Sequence, residues 1–271
     1  MLFPILIVSL IFSKNSAVWL RVLIIVCILI FLAGIYFSFA RAAMLAVMFG
    51  FFVAFAIRYR FARFIMPVIY AIILIGFCFL LYNNNYTKLR PHFERTYYHQ
   101  TFTSHVMATF KGRDLSSMER LYRWIAAVRM SKDRPLTGFG PNTFYYHYKP
   151  YALNSFRTYS SNNEEKSTTH NYFLYILAEQ GYPGLILYAL LIALVFSRAE
   201  KIFHRSIDSF DKACVMAIAM MLAACFINNC FSELLETPKI GPLFYLGISL
   251  LVILDEKSMK QKNALIKQSK F

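Results

Sequence analysis

Residues Ala17 to Phe39 read AVWLRVLIIVCILIFLAGIYFSF, with a single charge, Arg21, close to one end. About 20 mainly apolar residues carry a helix across the hydrocarbon core of a bilayer. A helix apolar on every side must be covered by lipid or by other protein. The same composition recurs outward from this stretch, at Ala42 to Ile57, Phe64 to Tyr82, Asn171 to Phe196, Ala213 to Phe231 and Gly241 to Leu254. Across all 271 residues, 58% are hydrophobic, 16% are charged and the mean hydropathy is +0.47, which argues against a water-soluble globular domain. The expected fold is all-α, a polytopic transmembrane helical bundle. The apolar run Met1 to Phe12 is too short to span and lacks the basic flank and small-residue cleavage site of a signal peptide. It is expected to be either a re-entrant segment or the remnant of further spans upstream, the chain then being an N-terminally truncated form.

The net charge of +15 would point to nucleic acid in a soluble protein, but in a membrane protein its placement decides orientation. Arg58, Arg60 and Arg63 lie in one short loop, and Arg198, Lys201, Arg205 and Lys212 in another. Lys257, Lys260, Lys262, Lys267 and Lys270 lie in the tail. All three regions read as cytoplasmic by the positive-inside rule. Residues 83–170 then fall on the opposite face, in a segment too long for that rule to govern. The expected organisation is N-terminal transmembrane helices over 1–82, a periplasmic loop with amphipathic helices over 83–170, C-terminal transmembrane helices over 171–254 and a basic cytoplasmic tail over 255–271. Cys27, Cys78, Cys214, Cys225 and Cys230 all sit in or beside apolar stretches, so a disulfide framework or Cys-based zinc site in the loop is excluded.

A loop of this length is more often functional than a mere connection. It carries thirteen Lys or Arg against six Asp or Glu, and five of the six histidines: His92, His99, His105, His147 and His170. A basic surface at the membrane suits an anionic substrate, with lipid-borne phosphate the nearest anion. Ser116-Ser117-Met118-Glu119 fits a capping box, and Met118, Leu121, Tyr122, Ile125 and Val128 follow at helical spacing. The spacing predicts an amphipathic helix ending before Pro135 and lying in the interface, with Trp124 as an anchor and Arg120 and Arg123 on one face. A guanidinium there can hold phosphate bidentately; snorkelling to headgroups is the alternative, favoured for Arg123 and Arg129. The turn Pro135 to Pro141 contains Gly138 and Gly140, which either approach a ligand closely or permit positive φ. The aromatic stretch Phe144 to Tyr151 is expected to form an interfacial belt, with stacking on sugars as the alternative. No Asp-x-Asp or convincing histidine ligand spacing is present, so neither metal nor cofactor is expected. Glu164 and Glu165 read as a solvated pair, and Glu233 and Glu236 can orient an acceptor.

Four motifs stand in order along the chain: Arg120-Leu121-Tyr122-Arg123-Trp124, Pro135-Leu136-Thr137-Gly138-Phe139-Gly140, His170-Asn171 at the start of an apolar stretch, and Glu179-Gln180-Gly181-Tyr182-Pro183-Gly184-Leu185. This series resembles the O-antigen ligase and polymerase family of bacterial inner-membrane glycosyltransferases. An earlier Ser-Arg element of that family is matched by Ala40-Arg41, with Ala in place of Ser. The likeness runs from Tyr36 to about Leu254. It implies transfer of an oligosaccharide from undecaprenyl pyrophosphate to an acceptor at the periplasmic face, the acceptor being lipid A-core in a ligase and another glycan in a polymerase. Protein O-oligosaccharyltransferases share the motifs. By the resemblance Arg41 and Arg120 stabilise the pyrophosphate and His170 is the catalytic base, while Arg123, Gly138, Gly140, Asn171 and Tyr172 contact substrate. Gly181 and Gly184 are expected to serve close helix packing. A lipid-linked glycan transporter or an inactive fragment are the readings from other classes. The avoidance of span centres by carboxylates weighs against transport.

Overall fold

The computed structural model describes residues 2–13, 17–37, 41–82, 85, 115–156 and 168–268. Ser38 to Ala40, most of the loop before Leu115, and residues 157–167 lie outside these. So do His92, His99, His105, Glu164 and Glu165. Among the described residues the structure is helical throughout, without strands. The helices are α1 (Phe3–Phe12), α2 (Val18–Phe37), α3 (Arg41–Arg58), α4 (Ala62–Leu81), α5 (Leu115–Asp133), α6 (Phe144–His147), α7 (Tyr172–Arg205), α8 (Ser209–Asn229) and α9 (Gly241–Gln268).

Two of them, α2 and α8, are long and apolar enough to cross a membrane, while Phe3–Phe12, Ala42–Arg58 and Ala62–Gly76 form shorter apolar helices. The six spans expected from composition are thus carried in part. Their apolar stretches become helices of unequal length, and α7 is broken by backbone chemistry described below.

The chain divides into two compact units. The first comprises residues 1–68, 190–228 and 234–271. Its centre is α8, apolar on every side, with Val215, Ala219, Leu222 and Ala223 fully enclosed. By contrast α2 buries no residue at all. Its Trp19, Leu29, Ile30 and Phe37 stand exposed, a surface that water would penalise by about 25 cal/mol per Å2 and that hydrocarbon would accept. Polar ties gather at the helix ends. Glu200 accepts the Ala62 amide at the start of α4 at 2.7 Å, and Arg205 pairs with Asp255 and donates to Ser258 Oγ at 2.8 Å. Lys257 reaches Asp211 at 2.7 Å.

The second unit comprises residues 69–189 and 229–233. Its core is built from α5, α6, the 3-10 turns Lys149–Tyr151 and Asn154–Phe156, and the first part of α7. Tyr122, Ile125, Ala126 and Met130 of α5 pack with Phe144, Tyr148, Phe156, Tyr175 and Ala178. The helical spacing read from Met118 onward therefore marks a face turned to protein. The helix begins at Leu115, one residue ahead of the expected cap. The aromatic stretch divides in the same way, with Phe144 and Tyr148 stacked in the core at 5.2 Å while Tyr146 and His147 face outward.

Candidate active site

Beyond α5 the chain turns at Pro135, and the segment Pro135 to Gly140 docks on a break in α7. The cause of the break is local. Gly181 adopts φ 72°, and Pro183 has no amide hydrogen to give to the carbonyl of Glu179 four residues earlier. The carbonyls of Ala178 and Glu179, left without helical donors, accept the amides of Phe139 at 3.0 Å and Gly140 at 2.9 Å. The freed amide of Tyr182 donates to Pro135 O at 2.8 Å. Backbone thus satisfies backbone between two motifs some forty residues apart. The approach is close enough to demand glycine: a Cβ on Gly138 would lie 2.2 Å from the Glu179 carbonyl carbon, and one on Gly181 would lie 2.5 Å from Pro135 O.

Glu179 locks the same junction. The residue is 2% exposed, and its carboxylate accepts the amides of Asn142 at 2.6 Å and of Thr143 and Phe144 at 2.9 Å each, the three donors that open α6. A buried carboxylate with three N–H partners is held by charge-assisted bonds and fixes the loop as one piece with α7. Carboxylates are expected to avoid the span centres, and Glu179 stands inside the apolar stretch Asn171 to Phe196 with its charge held by these backbone donors. Gly181 serves loop docking, not helix packing; Gly184 lies against Gln180 and Ile176 of its own helix.

A second carboxylate shapes the approach to α7. Glu233 accepts the hydroxyls of Thr168 at 2.7 Å and Thr169 at 2.6 Å, and the Asn171 amide at 3.2 Å. The turn wrapped around it forces His170 to φ 51°, a left-handed conformation uncommon for a residue with a side chain. Asn171 Oδ1 then caps α7 by accepting the Leu174 amide at 3.1 Å, and its Nδ2 donates to Cys230 O. The Trp124 indole donates to Thr169 O at 2.9 Å, so this ring secures α5 to the turn. His170 is left with its side chain 42% exposed and its Nδ1 3.8 Å from Glu233 Oε2, an electrostatic contact longer than a hydrogen bond.

Burial first, and then the charges around it, set the protonation of His170. Burial holds the imidazole below its ordinary 6.5; Glu233 opposes this, and Arg123 and Arg120 add to the lowering. The start of α7 acts in the same sense as the arginines. A neutral, partly open imidazole beside guanidinium groups can take a proton from a hydroxyl while the cations hold an anion. Arg123 also pairs with Glu119 at 3.3 Å along α5.

His170 thus lies within the electrostatic field of Arg120 and Arg123, all three in the second unit. Asn171 caps a helix, and Tyr172 stacks on Tyr175 and meets Tyr188 edge-to-face at the edge of the core. Gly138 and Gly140 lie in the docked loop, at φ 63° and 105°. Arg41 opens α3 in the other unit, and its side chain lies outside the described residues. Arg129 is occupied structurally, donating to Tyr151 O at 2.7 Å. Sequence alone assigns Glu179 no role of its own. The available signal was a carboxylate inside an apolar stretch two residues before a Gly-x-Pro helix breaker, which demands buried partners.

Replacing Glu233 by Gln is expected to lower the pH at which His170 protonates, because a neighbouring charge that favours the imidazolium is removed. The pH dependence of any His170-based reaction would report it: the acid limb should move to lower pH, and an unmoved limb would show that the carboxylate only holds the turn.

A family model described as O-antigen ligase matches residues 25–189. No curated protein and no solved structure matches the chain. The matched span takes in α5, the docked loop, His170 and the break in α7, and it covers more than half of the chain, which belongs to the O-antigen ligase family.

Proposed function

We propose that this chain is a metal-independent oligosaccharide transferase of the bacterial inner membrane. It moves a glycan from undecaprenyl pyrophosphate to lipid A-core, or to another glycan or a protein, at the periplasmic face. The observation that carries the reading is the neutral, half-open imidazole of His170 within the field of Arg120 and Arg123 at the start of an apolar helix. His170 takes the proton of the acceptor hydroxyl. That oxygen bonds to the anomeric carbon as the bond from this carbon to the phosphate oxygen breaks, and the pyrophosphate departs with the electron pair. The charge developing on it is held by Arg120 and Arg123, with Arg41 as a third guanidinium by the family's pattern. By the family's pattern Asn171 and Tyr172 stand on the substrate side of the turn, while Gly138 and Gly140 act through the loop docked on α7. Further support comes from the exposed apolar surface of α2 and from the basic loop and tail residues, which suit a multi-pass protein with residues 83–170 outside.

The test uses the full chain in nanodiscs supplied with an undecaprenyl-pyrophosphate-linked oligosaccharide and an acceptor, in the presence of chelator. Release of undecaprenyl pyrophosphate with glycan appearing on the acceptor is the expected result. Movement of intact lipid-linked glycan without release would make the protein a transporter. Arg120→Lys is expected to slow transfer by about a hundredfold, since a point charge cannot replace a bidentate fork at a developing pyrophosphate. A wild-type rate in that variant would remove Arg120 from the phosphate site.

A further inference from the structure

The first unit contains a cavity of about 550 Å3 where several helix ends meet. The turn between α3 and α4 contributes Arg60 and Arg63, the last turns of α7 contribute Lys201, and α9 contributes Lys262. Other polar groups on its wall are engaged. Glu200 is tied to the Ala62 amide, Arg205 to Asp255, and His204 Nε2 lies 2.8 Å from Ile57 O. Among the described residues, no carboxylate is paired with Arg60, Arg63, Lys201 or Lys262. Four exposed cations, besides the paired Arg205, thus line an open hollow against a single lining carboxylate, Glu200, which also accepts the Ala62 amide.

Arg60 adds a separate observation. The end of α3 closes with the Phe61 amide on Ala56 O at 2.8 Å and the Arg60 amide on Ile57 O at 3.3 Å, and Arg60 sits at φ 64°. This is the helix-ending motif whose left-handed position is ordinarily filled by Gly. A guanidinium stands there against backbone preference and faces the cavity.

We propose that this cavity binds a phosphate group, such as the headgroup of an anionic phospholipid. Arginine forks and lysine ammonium groups at the ends of apolar helices are the chemistry that receives such headgroups. The proposal does not depend on the transfer reaction and uses none of its residues.

The experiment measures the thermal unfolding midpoint of the full chain in phosphatidylcholine nanodiscs. Either phosphatidylglycerol is included in the bilayer or inorganic phosphate is added, against chloride at matched ionic strength. A saturable rise beyond the chloride control is expected. In the double variant R60G and K201A the half-effect should need about tenfold more probe, the equivalent of one charge-assisted hydrogen bond lost. Arg60→Gly suits the backbone better than the native residue, so this loss would not come from misfolding. The pair R63Q and K262Q, on exposed positions, should repeat it. A rise with phosphatidylglycerol alone assigns a lipid headgroup, and a rise with inorganic phosphate alone assigns a soluble phosphate compound. No rise in the native chain, or an undiminished rise in both double variants, overturns the site.

Discussion

His170→Ala is expected to reduce glycan transfer by about 10²- to 10⁴-fold, the usual contribution of a positioned general base. The thermal midpoint should change little, because the side chain is 42% exposed and the turn is held by Glu233 through Thr168, Thr169 and Asn171. His170→Gly sharpens the test. Glycine accepts the φ of 51° without strain and leaves an opening beside Glu233, so added imidazole should restore part of the lost rate. Restoration assigns the proton transfer to the ring. Full activity in the Ala variant would show that the reaction has no use for His170.

Gly138→Ala should have the largest effect on stability. The new Cβ would lie 2.2 Å from the carbonyl carbon and 2.3 Å from the oxygen of Glu179, with the Gln180 amide nitrogen at 2.5 Å. All three are backbone atoms and cannot swing aside. The loop must leave the break in α7, which exposes the carbonyls of Ala178 and Glu179 and strips partners from the Glu179 carboxylate. Destabilisation of about 3 kcal/mol or more is expected, from overpacking and lost buried hydrogen bonds together. Hydrogen exchange should show the Phe139 and Gly140 amides losing protection. Gly140→Ala is the control: its Cβ meets nothing closer than the Thr143 methyl at 3.6 Å, so only the strain of φ 105° remains, about 1 kcal/mol. If both glycines instead acted through substrate contact, both variants would lose transfer at unchanged stability.

The parts of this fold carried by local pattern were legible in the sequence. The apolar runs of α2 and α8 and the 3.6-residue spacing from Met118 to Val128 each announce a helix, and Pro135 announces the end of α5. What the α5 face packs against was not legible. Periodicity identifies an apolar face and is silent on whether protein or lipid covers it, so Trp124 reads as an interfacial anchor when its indole in fact holds Thr169 O. The two glycine motifs show the same limit. Each looks like an independent turn or packing device, and only their juxtaposition reveals that the freed carbonyls of one receive the amides of the other. Glu233 reads from sequence only as a carboxylate that can orient an acceptor, because nothing in its local sequence shows that Thr168 and Thr169, 65 and 64 residues earlier, fold around its carboxylate.

The pH dependence of kcat/KM for transfer, measured on the native chain and on Arg123→Gln, tests most directly whether one imidazole works within the field of these guanidinium groups. The acid limb reports the protonation of the essential base in the free enzyme. In the native chain it should lie below 6.5, the ordinary value for histidine. Removing the Arg123 charge lifts a restraint on the imidazolium and should move the limb upward. A limb at or above 6.5 in the native chain, or one that Arg123→Gln leaves in place, would contradict the account.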